Sequence, residues 1–195
     1  MTTLDPSAPA AIPSADGKPP FEFPREYHFP PFFTRQVNTT THRSQLEKWS
    51  SLVLSYAQHH RLFKLSLSSP QADDLFHNQA IGRRLGLADA RELLEFMRHE
   101  GRAEWVSGSQ RDSDVVWLYW RTPDEWAREL EDWADATGQK NAVLTLWELT
   151  EGEATVGTDI RGLDQEILQK ALQVLVKRGK AQIFGSGDEQ GVKFF

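Results

Sequence analysis

The sequence predicts a mostly α-helical protein with small β-hairpins, an α+β chain in which one small unit is used twice. Three observations carry this. Helical periodicity recurs along the chain, polar or Gly-rich links join β-prone runs into hairpins, and the second half repeats residues of the first. The repeat is specific: Leu94, Met97, Gly101, Ala103 and Trp105 correspond to Leu172, Leu175, Gly179, Ala181 and Ile183 at a constant offset of 78.

In chain order, residues 1–28 are expected to be a disordered tail. Residues 1–18 are rich in Ala, Pro, Ser and Thr and lack a basic start followed by an apolar core, so they are not read as a signal peptide. Residues 29–40 are expected to form an extended arm around Phe29-Pro30-Pro31-Phe32-Phe33. Adjacent prolines fix φ and remove two backbone donors, which keeps the segment out of helices and central strands and leaves its phenylalanines on a stiff, exposed rod. Such an apolar cluster is a contact site, because Pro-rich segments dock in apolar grooves. The competing reading folds the segment back over the chain's own core.

Leu46, Trp49, Val53, Leu54 and Ala57 recur at three- and four-residue spacings and predict a helix over residues 41–61. A short strand over 63–67, a break at Ser68-Ser69-Pro70 and a weaker helix over 75–85 follow. A third helix is marked by Asp89 and Glu92 at capping-box spacing, by the stripe Leu93, Leu94 and Met97, and by Gly101 at its C-terminal cap. Residues 103–106 and 115–120 then form a hairpin, closing a first unit over 41–121. Thr122-Pro123-Asp124-Glu125 starts a second unit over 122–195, with a Thr cap, Pro at the first helical position and Glu at the third. Trp126, Leu130, Trp133 and Ala134 give its first helix; Val143, Leu144 and Leu146 a short strand; residues 164–178 a last helix; and 181–184 with 192–195 a closing hairpin. Helix, short strand, further helices and hairpin is the order of a winged-helix domain, so two are expected in tandem. Trp49, Trp126, Trp133, Trp105, Trp117 and Trp120 are assigned to the cores.

Composition narrows the function. The chain has 195 residues, is 39% hydrophobic and 26% charged, and has no cysteine, which removes disulfides and thiolate metal sites. A formal net charge of -6 argues against nucleic acid or an anionic membrane as main partner. The first recognition helix sets Arg91 and Arg98 against Asp89, Glu92, Glu95 and Glu100, and its wing sets Arg111 against Asp112 and Asp114. The second is close to neutral, with Lys170, Lys177 and Arg178 against Asp164 and Glu166, and its wing sets Lys193 against Asp188 and Glu189. DNA readers concentrate Lys and Arg on these elements, so no nucleic-acid partner is expected. The six histidines (His28, His42, His59, His60, His77 and His99) lack HExxH spacing, and His59 and His60 are placed at a solvated helix end. Residues 185–191 lead into a strand and read as a wing turn, and Glu148, Glu151 and Glu153 read as solvated surface. No catalytic, cofactor-binding or metal-ligating set is assigned.

Phe29-Pro30-Pro31-Phe32-Phe33-Thr34-Arg35-Gln36, Trp49, the Trp126 helix, residues 145–153 (Thr-Leu-Trp-Glu-Leu-Thr-Glu-Gly-Glu) and the terminal Gly191-Val192-Lys193-Phe194-Phe195 resemble the vacuolar protein-sorting-associated protein 25 family, the small subunit of the ESCRT-II complex. The likeness runs over residues 21–195, with the motifs in the family's order and spacing. The chain departs in its longer tail and in Val37, where the family often has proline; neither touches the apolar anchors. The resemblance implies a non-catalytic adaptor of tandem winged helices, present in two copies in a Y-shaped complex with two larger subunits. It implies a cytoplasmic protein recruited peripherally to the endosomal membrane, without inserting into it, during multivesicular-body sorting of ubiquitinated cargo. Carried over residue by residue, Phe29, Pro30, Pro31, Phe32 and Phe33 are the anchors for the larger subunits. Residues 122–195 would recruit the myristoylated ESCRT-III subunit. The residues alone support two small domains with an apolar arm, and leave open a winged-helix DNA-binding transcription regulator or an enzyme with a scattered site.

Overall fold

The computed structural model describes residues 19–106, 113–185 and 190–195. The tips of both hairpins and residues 1–18 of the expected tail lie outside the described residues, and with them Arg111, Asp112, Asp188 and Glu189. Residues 19–28, read from sequence as tail, pack onto the first unit: Tyr27 is buried, and Phe23 stacks on it at 4.0 Å.

Helix α1 (Thr39–His59) begins before its apolar stripe because Asn38 caps it, accepting from the Thr41 amide at 3.0 Å. Its buried face is Gln45, Trp49, Leu52, Val53, Tyr56 and Ala57, so Leu46 and Leu54 of the expected stripe are only half-buried. Strand β1 (Lys64–Ser66) follows. The helix expected over 75–85 is corrected to α2 (Pro70–Phe76), then β2 (His77–Asn78) and β3 (Arg83–Arg84) around a 3₁₀ turn. Ser69, expected in a break, is instead a helix cap that accepts from the Ala72 amide at 3.2 Å, and Pro70 takes the first helical turn. Asn78 caps the start of that 3₁₀ turn by accepting from the Ala80 amide, and it donates to the Tyr27 carbonyl. Helix α3 (Leu87–His99) has Gly86 at its N-cap with no side-chain bond, so the expected capping box at Asp89 does not form. Glu92 turns instead to the N-terminal segment. Strands β4 (Ala103–Trp105) and β5 (Val115–Leu118) complete an antiparallel sheet of order β1-β5-β4.

The second unit opens with α4 (Pro123–Ala136), where the Thr122 and Glu125 side chains form the reciprocal capping box the sequence predicts. Strand β6 (Val143–Thr145) stops short of Leu146, which begins α5 (Leu146–Glu151), a helix the sequence reading missed. Its start is a second capping box: the Glu148 carboxylate accepts from the Thr145 amide at 2.6 Å and hydroxyl at 2.8 Å. Those bonds hold the Glu148 carboxyl below its ordinary range, so this residue is a cap and not merely solvated surface. Gly152 ends α5 where a Cβ would stand 2.3 Å from the Glu148 carbonyl oxygen. Helix α6 (Gln165–Lys177), capped by Asp164, leads to β7 (Ala181–Phe184) and β8 (Gly191–Phe194) in a sheet of order β6-β8-β7.

The repeat is visible in the geometry. Gly101 and Gly179 follow α3 and α6 with φ of 72° and 69°, and in each case the next amide (Arg102, Lys180) reaches back to the carbonyl of Met97 or Leu175 at 2.8 and 2.9 Å. Ala103 pairs with Leu118 and Trp105 with Val116, as Ala181 pairs with Phe194 and Ile183 with Val192.

The units are packed together through β5. Trp117 and Tyr119 belong to the second core, beside Trp126 and α6. Trp120 bridges both cores, edge-on to Trp126 at 5.1 Å, with its indole N–H donating to the Leu62 carbonyl at 3.1 Å. Lys170 donates to Glu104 and to the Tyr119 hydroxyl, both at 2.7 Å, and Lys64 pairs with Glu166 at 2.6 Å while lying over the Trp117 ring. Burial and the Glu104 carboxylate push the Tyr119 hydroxyl pKa well up, so it stays a donor.

Candidate functional site

The candidate site is the segment ahead of α1, and its conformation corrects the exposed rod. Pro30–Phe33 form a 3₁₀ turn, with the Phe32 amide donating to the Phe29 carbonyl at 2.9 Å and the Thr34 amide to Pro31 at 3.2 Å. Proline's fixed φ suits the first positions of such a turn, where its missing N–H goes unused. Phe32 and Phe33 are 7% and 4% exposed. Phe32 stacks on Trp49 of α1 at 4.4 Å and 6°, and Phe33 meets the same indole edge-on at 5.3 Å and 84°. The second phenylalanine also touches Tyr27. Tyr27 is anchored by its hydroxyl to the Asp74 carbonyl at 3.0 Å, and burial raises that hydroxyl's pKa. The five predicted anchors therefore divide: Phe29 (59% exposed), Pro30 and Pro31 stand outward, whereas Phe32 and Phe33 point into the chain's own core.

The turn is fastened by polar side chains that sequence reasoning did not single out. Gln45 of α1 is buried at 8% exposure, and its Nε2 donates to the carbonyls of Phe32 at 2.8 Å and Thr34 at 2.9 Å, with the Pro31 carbonyl 3.4 Å away. The Trp49 indole N–H donates to the same Phe32 carbonyl at 2.9 Å. Gln36 folds its Nε2 back onto the Pro31 and Thr34 carbonyls at 3.0 and 2.8 Å. Arg35 makes a two-point bond to Glu92 of α3 at 2.9 and 3.1 Å, and His42 Nε2 lies 3.0 Å from the same carboxylate. The Arg35 guanidinium first, and His42 after it, hold the Glu92 carboxyl below its ordinary range against the opposing effect of burial. One signal for Gln45 was present in the sequence: it lies one turn before Trp49 on a stripe otherwise apolar, where a polar side chain needs a partner.

Beside the turn, Phe29, Pro31, Phe32 and α1 residues Thr41, Ser44 and Lys48 border a cleft of about 200 Å³, closed on one side by the Lys48–Glu26 pair at 3.2 Å. Its walls are mostly apolar. His59 and His60 stand at the end of α1 as expected, His59 half-buried and His60 exposed, and Phe21 packs against both, at 5.4 and 6.2 Å. Among the described residues no cluster of three His, Cys, Asp or Glu could hold a metal ion, and no described helix is long and apolar enough to cross a membrane.

The architecture is thus that of tandem winged helices fronted by a fastened Pro-Pro-aromatic turn. The ESCRT-II complex subunit family matches residues 26–164, and the chain belongs to that family. It is similar to vacuolar protein-sorting-associated protein 25 of Xenopus laevis, 40% identical over 175 residues covering 90% of this chain and 99% of the relative, and to that of Homo sapiens, also 40% identical and covering 90% and 98%. Among solved structures it resembles subunit VPS25 of the endosomal trafficking complex ESCRT-II, with a TM-score of 0.78 and 26% identity over 88% of this chain and 98% of that one. It also resembles a chain in the crystal structure of the endosomal complex ESCRT-II (VPS22/VPS25/VPS36), with a TM-score of 0.76 at the same identity and coverage.

Proposed function

We propose that this chain is a non-catalytic adaptor subunit of an ESCRT-II complex in endosomal sorting, present in two copies and docked through its 3₁₀ turn to larger subunits of the VPS22 and VPS36 kind. Phe29, Pro30 and Pro31 make the contact, with Phe32 forming the floor of the adjoining cleft and Phe33 holding the turn from inside. The observation that carries the reading is the exposure of Phe29 and both prolines on a turn whose following residues are fixed in the core. Residues 122–195 recruit the myristoylated ESCRT-III subunit, and the protein is cytoplasmic, meeting the endosomal membrane only through its complex. Support for the partners comes from the family and from the composition of the related VPS22/VPS25/VPS36 assembly.

The charge pattern gives no support to the DNA-binding alternative. Arg91 pairs with Asp114, Arg98 with Glu95 at 2.6 Å and Arg178 with Asp124 at 2.6 Å, so these three cations already have carboxylate partners. Affinity capture of the full chain from its own cell extract, followed by mass spectrometry, tests the proposal. The two larger subunits should be recovered in near-stoichiometric amount; chromatin proteins in their place would contradict it.

A further inference from the structure

We propose that Gln45 is a positioning residue for the docking turn: its carboxamide sets the shape in which Phe29, Pro30 and Pro31 are presented, so the larger subunits capture a preformed surface. This rests on the docking role proposed above and adds its mechanism. Pro30 and Pro31 have no N–H, and the turn is short: the Phe32 amide donates to the Phe29 carbonyl and the Thr34 amide to that of Pro31. The carbonyls of Pro31, Phe32 and Thr34 converge on one side chain from a different element, the Gln45 amide, at 3.4, 2.8 and 2.9 Å. The other end of that side chain is itself held, its Oε1 lying 3.4 Å from both the Gln36 amide and His42 Nδ1. The Trp49 indole, one helical turn on, completes the cage at the Phe32 carbonyl.

A rigid α-helix thus fastens the carbonyls at the far side of the turn, and Phe29 and the prolines are left on its solvent side. Binding to a partner then orders little backbone, which is the physical advantage of preorganisation. Gln45 is buried beneath the turn and borders the adjoining cleft with its carboxamide already engaged by the turn. Its effect must therefore appear as the fraction of molecules with the turn formed, and apparent affinity falls in proportion to that fraction.

The test measures association and dissociation rates of the full-length chain with the purified pair of larger subunits. It compares Gln45→Met, which keeps volume without donors, Gln45→Glu, which keeps shape and acceptors, and Phe29→Ala, which removes a contact. If the turn in the Gln45 variants is formed in about one molecule in ten, association slows about tenfold while dissociation stays within about twofold of the parent. Phe29→Ala should show the opposite pattern, with faster dissociation and little change in association. Circular dichroism melts restrict the comparison to folded variants, and the two Gln45 replacements give independent chances of one. Parent-like association by a folded Gln45 variant, with Phe29→Ala still weakened, would overturn the positioning role and leave the docking proposal standing. Parent-like binding by Phe29→Ala would remove the docking proposal and this inference with it.

Discussion

Replacing Phe32 and Phe33 together by Ala should strongly destabilise the isolated protein, before any partner is involved. Both rings are buried and both rest on Trp49, itself 1% exposed, so the change opens a cavity at the centre of the first core. A buried Phe→Ala replacement costs about 3–5 kcal/mol. Because the two rings share one neighbour, their effects add to less than the sum, and about 5 kcal/mol is expected for the pair. For a chain of this length about 2–4 °C of melting midpoint is lost per kcal/mol, giving a drop of roughly 10–20 °C. Phe29→Ala is the control: at 59% exposure it should change stability by less than about 0.5 kcal/mol. Thermal unfolding followed by circular dichroism reads all three proteins. A double variant melting within a degree or two of the parent would refute the burial argument and restore the freely exposed arm.

Trp117→Ala should cost about 3–5 kcal/mol, and by hydrogen exchange the lost protection should reach the amides of α6, because this β5 side chain fills the second core; loss confined to the first unit would contradict that packing. Glu92→Gln should lower stability at neutral pH. Since the folded-state pKa of Glu92 lies below the ordinary value of 4.5, its contribution is present above that value and lost as pH falls through the lower one, so the gap between parent and variant in urea unfolding should narrow as pH falls below 4.5. A constant gap between pH 7 and pH 3 would show that the Arg35 and His42 contacts do not depend on the charge. In fluorescence anisotropy at low salt, random duplex DNA should bind no tighter than roughly 10 µM, whereas salt-sensitive submicromolar binding would overturn the charge argument.

What could be read from the sequence was local. Thr122-Pro123-Asp124-Glu125 carries its own capping bonds within four residues, and Gly101 and Gly179 each end a helix whose stripe is written in the preceding turns. The same logic misplaced the 75–85 helix, because Ser68-Ser69-Pro70 serves equally as a break or as a cap and first turn, and only the packing of Leu75 and Phe76 decides. The fate of Phe32 and Phe33 was set by residues further along the chain. Nothing in five residues of Pro and Phe discloses a tryptophan waiting on α1 or a glutamine that donates to the Phe32 and Thr34 carbonyls from beneath. Likewise, the capping box at Thr122 marks a helix start correctly, yet Trp117 and Tyr119 before it are part of the second core. Alternation along a strand identifies its faces, but not which of two neighbouring cores each face enters.

The docking claim is tested most directly by titration calorimetry of the purified larger subunits with the full chain and with its Phe29→Ala/Pro30→Ala/Pro31→Ala variant. The variant should stay folded, its midpoint lowered by a few degrees because two prolines no longer restrict the unfolded chain (about 0.4–1 kcal/mol each), and should bind at least about tenfold more weakly, the loss expected from one or more apolar contacts of about 1.5–3 kcal/mol. Parent-like affinity from the folded variant would place the interface elsewhere on the molecule.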